Sequence, residues 1–405
     1  MSLSELSVSE KLKIIEEKHS QIYEIMSSNQ IDCWIIFNRE TETTPDSIME
    51  FVVGNDIVLQ SAFIFAIYQN VLKKYAIVGS FDANTEKEKG LWDEVIGYGH
   101  SIKEHLQDKL KMLNPEKIAL DYSLNDVSAD GLTHGMYLIL EDLLNEYSDK
   151  FISAEPIIRA IRGKKTKTEL ELITEACRIT EEINNQITSY LMVGMSELEI
   201  QSKFYELVEK YKVGYAWKKH QNPMCDAGPD KEFGHVSPQP NSYTKSGYTL
   251  HNDFGVKYKG YCSDLQRMWF FGSKEDVPQE LRDGIDTIVQ AIQLAAEKIK
   301  PGVEGWEIDK IARDFVVSKG YKEYMHGLGH PVGIKAHDGG GLMGPLWERY
   351  GELPNTQLEE GQVFTLEPSL STKNYGMIAL EEMVVITKTG CKFIVNPVHD
   401  FLYIN

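Results

Sequence analysis

Four carboxylates and one histidine stand in contexts that suit metal ligands, in the order Asp253, Asp264, His330, Glu367, Glu381. Asp253 lies in Leu250-His251-Asn252-Asp253-Phe254-Gly255, and Asp264 ends Gly260-Tyr261-Cys262-Ser263-Asp264. His330 closes His326-Gly327-Leu328-Gly329-His330-Pro331. Glu367 follows Phe364-Thr365-Leu366, and Glu381 sits in Leu380-Glu381-Glu382-Met383-Val384. Four carboxylates carry the charge that neutralises two divalent cations. Oxygen-rich ligation with one imidazole suits hard or borderline metals such as Mn, Co or Zn. Two such cations, about 3.5–4 Å apart, can hold a hydroxide at neutral pH and polarise a carbonyl oxygen, so the set points to a two-metal hydrolase.

The elements around these residues must bring them to one place. Asp253 and Asp264 flank Val256-Lys257-Tyr258-Lys259-Gly260, and Glu367 and Glu381 flank Lys373-Asn374-Tyr375-Gly376. Each interval can turn an antiparallel hairpin and set two carboxylates on neighbouring strands. Like charges that close repel unless a cation lies between them. An acid taken alone is an ordinary solvated charge, but five metal-ligand types set among apolar strands form a site. Between the two pairs stand His326 and His337, both within reach of the same cleft.

The chain around the site reads as two domains. Its 405 residues, 42% hydrophobic and 25% charged, suit a globular protein with ample chain for two cores. A net charge of −19 argues against nucleic acid and anionic membrane as partners, since both select basic surfaces. No apolar run reaches membrane-spanning length and the start lacks a signal-peptide pattern. Five dispersed cysteines, Cys33, Cys177, Cys225, Cys262 and Cys391, define no disulfide framework or CxxC site, so a reducing cytoplasm is the expected home. Cys262 reads as a packing residue rather than a nucleophile.

In the N-terminal third, Leu12, Ile15, Ile22 and Met26 recur at helical spacing, and Cys33-Trp34-Ile35-Ile36-Phe37 reads as a buried strand. Residues 75–78 and 117–120 read as further strands, with helices over 105–112 and 136–144. No cluster of catalytic residue types appears there, and His100, His105 and His134 read as isolated surface or capping histidines. The basic stretch Arg159 to Lys167 is expected to be a solvated linker at the domain junction, followed by a long helix opening at Thr168. Beyond it the pattern Gly194-Met195-Ser196-Glu197-Leu198-Glu199-Ile200 returns as Gly302-Val303-Glu304-Gly305-Trp306-Glu307-Ile308, each preceded by a helix and followed by an amphipathic one ending in Gly-Tyr. Two helix pairs thus precede two ligand-bearing strand groups, which predicts a pseudo-twofold arrangement with the metals between halves.

The five ligand contexts resemble the metallopeptidase family with the pita-bread fold that includes prolidase, aminopeptidase P and methionine aminopeptidase. The segments 253–264 and 326–337 are most similar to its prolidase and aminopeptidase P branch. Specific motifs cover roughly residues 160–405, and residues 1–160 share only general organisation. The resemblance implies an α/β (α+β) chain. Its N-terminal α/β domain of creatinase/prolidase type, residues 1–160, would serve substrate access and dimerisation. Residues 161–405 would form the pita-bread catalytic domain. Asp264 and Glu381 would bridge two divalent metals, manganese first, with cobalt or zinc as alternatives. Asp253 would chelate one metal, and His330 with Glu367 would complete the other. Glu367 would also shuttle the proton, while His326 and His337 would bind substrate and stabilise the tetrahedral intermediate. His235, in Phe233-Gly234-His235-Val236, resembles a further substrate-binding histidine. The implied activity is cleavage of the Xaa-Pro bond of dipeptides or short peptides by a homodimer.

The chain departs from that family around the ligands. Where the family pattern after Glu-Pro continues Gly, an aliphatic residue and Tyr, this sequence has Ser369-Leu370-Ser371, and Ala379 stands where an Arg is usual two residues before Glu381. His251 occupies a position normally aliphatic or Asn; on a strand it shares a face with Asp253, where it could make polar contacts in the cleft or be buried as a hydrogen-bonded core histidine. These changes keep a second reading open, a non-peptidase member of the same fold such as a creatinase-like enzyme or a lyase.

Overall fold

Ser7 opens the first helix, α1 (Val8–Ser28). Its Oγ accepts from Glu10 N at 3.3 Å while the Glu10 carboxylate accepts from Ser7 N at 2.9 Å, a reciprocal cap that satisfies two otherwise unpaired amides. This computed structural model describes residues 6–229 and 237–405, which divide into two units, Ser7–Arg162 and Gly163–Asn405.

In the first unit a mixed sheet is built from β1 (Cys33–Asn38), β2 (Ser61–Tyr68), β3 (Val71–Gly79), β4 (Glu94–Tyr98), β5 (Ile118–Leu120) and β6 (Phe151–Ser153), in the order β4-β3-β2-β1-β5-β6. β2 runs antiparallel to both β1 and β3, while β5 and β6 continue parallel to β1. The helices α2 (Met49–Val52), α3 (Ala83–Lys89), α4 (Lys103–Leu113), α5 (His134–Leu143) and α6 (Glu155–Gly163) complete the unit. Every residue of β1 is buried, as its unbroken apolar run requires. His100, His105 and His134 are exposed. The fold nonetheless makes a buried polar cluster that the sequence did not signal. Asp121 accepts from Trp34 Nε1 at 2.6 Å and Asp46 from Asn38 Nδ2 at 2.9 Å, and the two carboxyls interact directly.

The expected solvated linker at 159–167 is corrected by the structure. Residues 155–163 are helical, and Arg162 is buried, donating to Ser47 O at 3.0 Å with its guanidinium over the Phe51 ring. Lys165 pairs with Asp338 at 2.9 Å with both side chains buried. The long stems of basic side chains lie along apolar surface while the charged ends find partners, so a basic run need not be a solvated one. Lys167 alone keeps the expected exposure.

The second unit repeats one plan. Thr166 caps α7 (Lys167–Thr188), packed beside α8 (Glu197–Tyr211); later α9 (Gln279–Lys298) packs beside α10 (Gly305–Ser318). α8 opens on a reciprocal cap of Ser196 with Glu199, and at α10 the Glu307 carboxylate reaches back to accept from Glu304 N at 3.0 Å. Both cap residues also bridge an incoming extended segment, Ser196 to Tyr243 and Glu304 to Gln357. The first half carries β7 (Gly214–Tyr215), β8 (Met224–Ala227), β9 (Thr249–Phe254), β10 (Val256–Tyr258), β11 (Tyr261–Cys262) and β12 (Leu265–Phe271). The second carries β13 (Val363–Leu366), β14 (Ser369–Ser371), β15 (Met377–Ala379), β16 (Glu382–Ile386) and β17 (Cys391–Phe393), and the last strand, β18 (Leu402–Ile404), returns to pair parallel with β12 in the first half's sheet. Two apolar cores form, the second of them completed by Met268 and Phe270 of β12. Ile183, Phe204 and Phe254 belong to one, and Ile288, Ala312, Phe364 and Val384 to the other. No helix among the described residues is long and apolar enough to cross a membrane.

Candidate metal centre

Strand register sets the first carboxylate pair. β9 lies between β8 and β12, both antiparallel to it, so Asp253 stands opposite Met224 on one side and Gln266 on the other. β9 passes into β10, which pairs antiparallel with β11 across a turn at Lys259 and Gly260, both at positive φ, the backbone of a tight hairpin turn. The chain then returns to Asp264 and β12. In the second half Glu367 follows β13 and Glu381 precedes β16, and the pairing of Leu366 with Glu382 holds these ends together. The excursion between them is the β14–β15 hairpin. Both expected hairpins are therefore present.

His330 reaches the same place through a loop held by β13 and α10. A Cβ at Gly329 would lie 1.9 Å from Thr365 O, so glycine alone lets this backbone press against the strand. His330 N then donates to Thr365 Oγ1 at 3.1 Å. Upstream, Asp309 on α10 accepts from Leu328 N at 3.0 Å, and Arg313, paired with Asp309 at 2.7 Å, donates to His326 O at 2.7 Å. His330 Nε2 thereby sits 3.3 Å from Glu367 Oε1, 3.8 Å from Asp264 Oδ2 and 4.0 Å from Glu381 Oε1. All five expected ligands line one cavity of about 330 Å³, together with His326 and His337, a volume within the range of small-molecule sites.

The electrostatics of this cluster call for added positive charge. Burial pushes the Asp253 carboxyl up to about 7. Burial, and then the neighbouring carboxylates, push Asp264 and Glu381 well above the carboxylate range. Glu367 is also buried, yet its hydrogen bond and charge contact with His330 hold it below its ordinary value. His330 is pulled down by burial and raised further by Glu367, with a net upward shift. Asp253 Oδ1 and Glu381 Oε2 are buried with no hydrogen-bond partner among the described residues. Leaving such oxygens unsatisfied is costly, and a cation supplies both the missing contact and the missing charge. Asp264, His330 and Glu381 each offer an atom within 4.8 Å of the others. The donor set fits divalent metal ions.

The histidines differ in their settings. His326 Nδ1 donates to Gly327 O at 2.8 Å, a contact in which only the ring can be the donor. Burial lowers its pKa, so the ring is neutral and Nε2 accepts from Ser369 Oγ, 2.8 Å away. The His337 ring lies against that of His330, with centroids 4.1 Å apart. His235 falls outside the described residues. Cys262 is buried, its thiol pushed up to about 12 by burial, as a packing residue should be.

Several residues at the cavity carry no motif and went unread in the sequence. Gln266 and Asp226 line it beside His251. His251 Nδ1 lies 3.2 Å from Asp226 Oδ2, and Nε2 lies 2.9 Å from Gln266 Oε1. His251 is thus both things the sequence allowed, a buried hydrogen-bonded histidine and a polar group of the cleft. Ser369, which departs from the family pattern, anchors His326. Ser371 is exposed and Ala379 buried, and neither lines the cavity.

Comparison with known proteins agrees with this architecture. The chain is 29% identical over 258 residues to a Xaa-Pro dipeptidase of Pyrococcus horikoshii, covering 63% of this chain and 69% of that protein. It is 28% identical over 268 residues to the Xaa-Pro dipeptidase of Pyrococcus furiosus, covering 66% and 73%. Among solved structures, an X-Pro aminopeptidase from Thermotoga maritima superposes with a TM-score of 0.67 at 22% identity, over 95% of this chain and 99% of that one. The prolidase from Pyrococcus horikoshii gives 0.66 at 22% identity, over 95% and 100%. The fold is the pita-bread fold, within a mixed α/β chain. Residues 171–388, just over half of the chain, match metallopeptidase family M24. By that match, and with a donor set built for divalent metal, the chain belongs to metallopeptidase family M24.

Proposed function

We propose that this metallopeptidase is a dinuclear enzyme that cleaves the Xaa-Pro bond of dipeptides or short peptides, with manganese as the first choice of metal and cobalt or zinc as alternatives. The observation that carries the reading is the convergence of Asp253, Asp264, His330, Glu367 and Glu381 on one cavity, with the charge to match two divalent cations. The Xaa-Pro preference rests on the relatives named above. In this reading Asp253, Asp264, His330, Glu367 and Glu381 would hold the cations, with Asp264 and Glu381 shared between them, Asp253 serving one and His330 with Glu367 the other. The cations, when bound, lower the pKa of water and polarise the scissile carbonyl. Glu367 takes the proton of the attacking water and passes it to the leaving proline nitrogen. His326 and His337 hold the substrate, with His326 kept in one tautomer by Gly327 and Ser369. All five ligand types are present, and no observation favours the non-peptidase reading.

The test is metal content together with substrate choice. Purified protein equilibrated with Mn, Co or Zn should hold up to two ions per chain and cleave Xaa-Pro dipeptides, or Xaa-Pro-Yaa peptides, in preference to Xaa-Ala counterparts. Glu367→Gln should lose about 10²–10⁴-fold in turnover, the range for a lost proton shuttle. Full activity of that variant, or equal cleavage of Ala and Pro substrates, would refute the reading.

A further inference from the structure

Glu367 is expected to work as both ligand and proton carrier, so its carboxylate must be aimed. One oxygen, Oε1, is placed by His330 Nε2 at 3.3 Å and by Thr365 Oγ1 at 3.4 Å. The other, Oε2, accepts from Gln266 Nε2 at 3.3 Å. We propose that Gln266 is a positioning residue for Glu367, and that its amide is oriented in turn by His251 and Asp226. The three side chains would form one supporting line behind the carboxylate.

The direction of each bond follows from the chemistry of the groups. Glu367 accepts, so the Gln266 –NH₂ must face it, which turns Oε1 toward His251. Oε1 can only accept, so His251 Nε2 donates to it. Asp226 Oδ2, 3.2 Å from Nδ1, accepts from the second ring N–H and fixes the ring plane. Reversing the amide would set Oε1 against the carboxylate and remove the acceptor from His251. Gln266, His251 and Asp226 are 1%, 5% and 5% exposed, so water is a poor substitute for any of these bonds. Strand register makes the line possible. Asp226 stands opposite His251, and Gln266 is the diagonal neighbour of His251 across β9 and β12. Gln266 also accepts through its main-chain oxygen from Glu381 N at 3.3 Å. One residue of the first half therefore touches both carboxylates that the second half contributes.

This inference rests on the proposed ligand role of Glu367, and the experiment keeps the two apart. Four variants, Gln266→Met, His251→Leu, Asp226→Asn and Glu367→Gln, are compared with the parent protein. Mn²⁺ affinity of the metal-stripped protein is measured by calorimetric titration, kcat and KM separately on an Xaa-Pro dipeptide, and Tm as a check on folding. Gln266→Met should weaken Mn²⁺ binding and lower kcat by roughly 10–100-fold, the usual cost of removing a partner that orients a metal ligand. KM should move less than about threefold, because the substrate contacts remain. His251→Leu should show a smaller loss of the same kind, and Asp226→Asn a smaller one still. A fifth variant, the double of Gln266 and His251, should lose less than the product of the two single losses, since His251 orients the same amide. Should Gln266→Met fail to fold, the ranking of His251→Leu above Asp226→Asn in lost Mn²⁺ affinity tests the same line. Independent losses that multiply would overturn the proposal, as would parent-like Mn²⁺ affinity in Gln266→Met or, failing that variant, in His251→Leu. If Glu367→Gln itself retained Mn²⁺ and turnover, the ligand reading would fail instead.

Discussion

Replacing Arg267 with Met should loosen the seam between the two halves of the catalytic unit. Arg267 is fully buried. Its Nε donates to Glu181 Oε1 at 2.9 Å, its Nη2 to Glu382 Oε2 at 3.2 Å and again to Glu181, and its Nη1 to the main-chain oxygens of Gln266 and Glu381, both at 2.8 Å. Glu181 is 24% exposed and can turn to water, but Glu382 is 1% exposed and cannot. The substitution therefore strands one buried carboxylate and removes a charged donor from the Glu381 carbonyl. Breaking a buried pair costs about 3–5 kcal/mol, and methionine fills much of the lost volume, so a net loss of ~4 kcal/mol is expected near pH 7.5. At roughly 2–4 °C per kcal/mol for a unit of this size, Tm should fall by about 8–16 °C. Burial already raises the Glu382 pKa against the pull of Arg267, and losing the arginine raises it further. That shift destabilises the variant above the pKa and vanishes once the carboxyl is protonated, so the gap to the parent must narrow as pH falls. Thermal denaturation of the metal-free proteins at pH 7.5 and 5.5 reads both effects. A Tm change under about 3 °C, or one independent of pH, would refute the reasoning.

Two further outcomes follow from the settings of individual histidines. His330→Ala should lose bound metal, whereas His326→Ala and His337→Ala should keep it and lose rate; metal analysis showing the reverse ranking would misassign the ligand within 326–337. His19 is buried, with Nε2 2.9 Å from Val52 O and Lys74 beside Nδ1, and burial lowers its pKa from 6.5 to about 4. The unfolded chain then binds a proton that the folded one refuses, so stability is full above pH 6.5 and is lost as pH falls toward 4. By pH 5 the loss should reach about 2 kcal/mol relative to His19→Gln; equal acid sensitivity of the two in thermal denaturation would contradict this.

How much of this could be read beforehand depended on the kind of signal. The candidate ligands stood out because acids and an imidazole are the residue types a divalent cation selects, and because turn residues sit between each pair of acids. The buried strand Cys33–Asn38 announced itself by an unbroken apolar run. Helix α6 was hidden by its own arginines, whose burial depends on partners distant in sequence, such as Ser47. Gln266 and Asp226 carry no signature, because their role arises from strand register, and a one-residue slip would have pointed them elsewhere. Asp46 and Asp121 lie in loops, after β1 and after β5, that meet only once the sheet has formed.

The repeated plan of the catalytic unit has a consequence for anyone recombining it with its relatives. Asp253 and Asp264 come from one half, and His330, Glu367 and Glu381 from the other, and the packing crosses the same join: Met268 and Phe270 of β12 belong to the second core, and β18 pairs with β12. A chimera joined in the short segment between Phe271 and Gln279 would thus put β12 from one parent against core residues and a strand from the other, and the two groups of candidate ligands likewise. What must travel together is the mated set along the join: Gln266 and Arg267 with the stretch from Glu367 to Glu382. Parents matched at those positions should yield an active hybrid even where their helices have diverged, and parents mismatched there should yield a less stable protein with an impaired site.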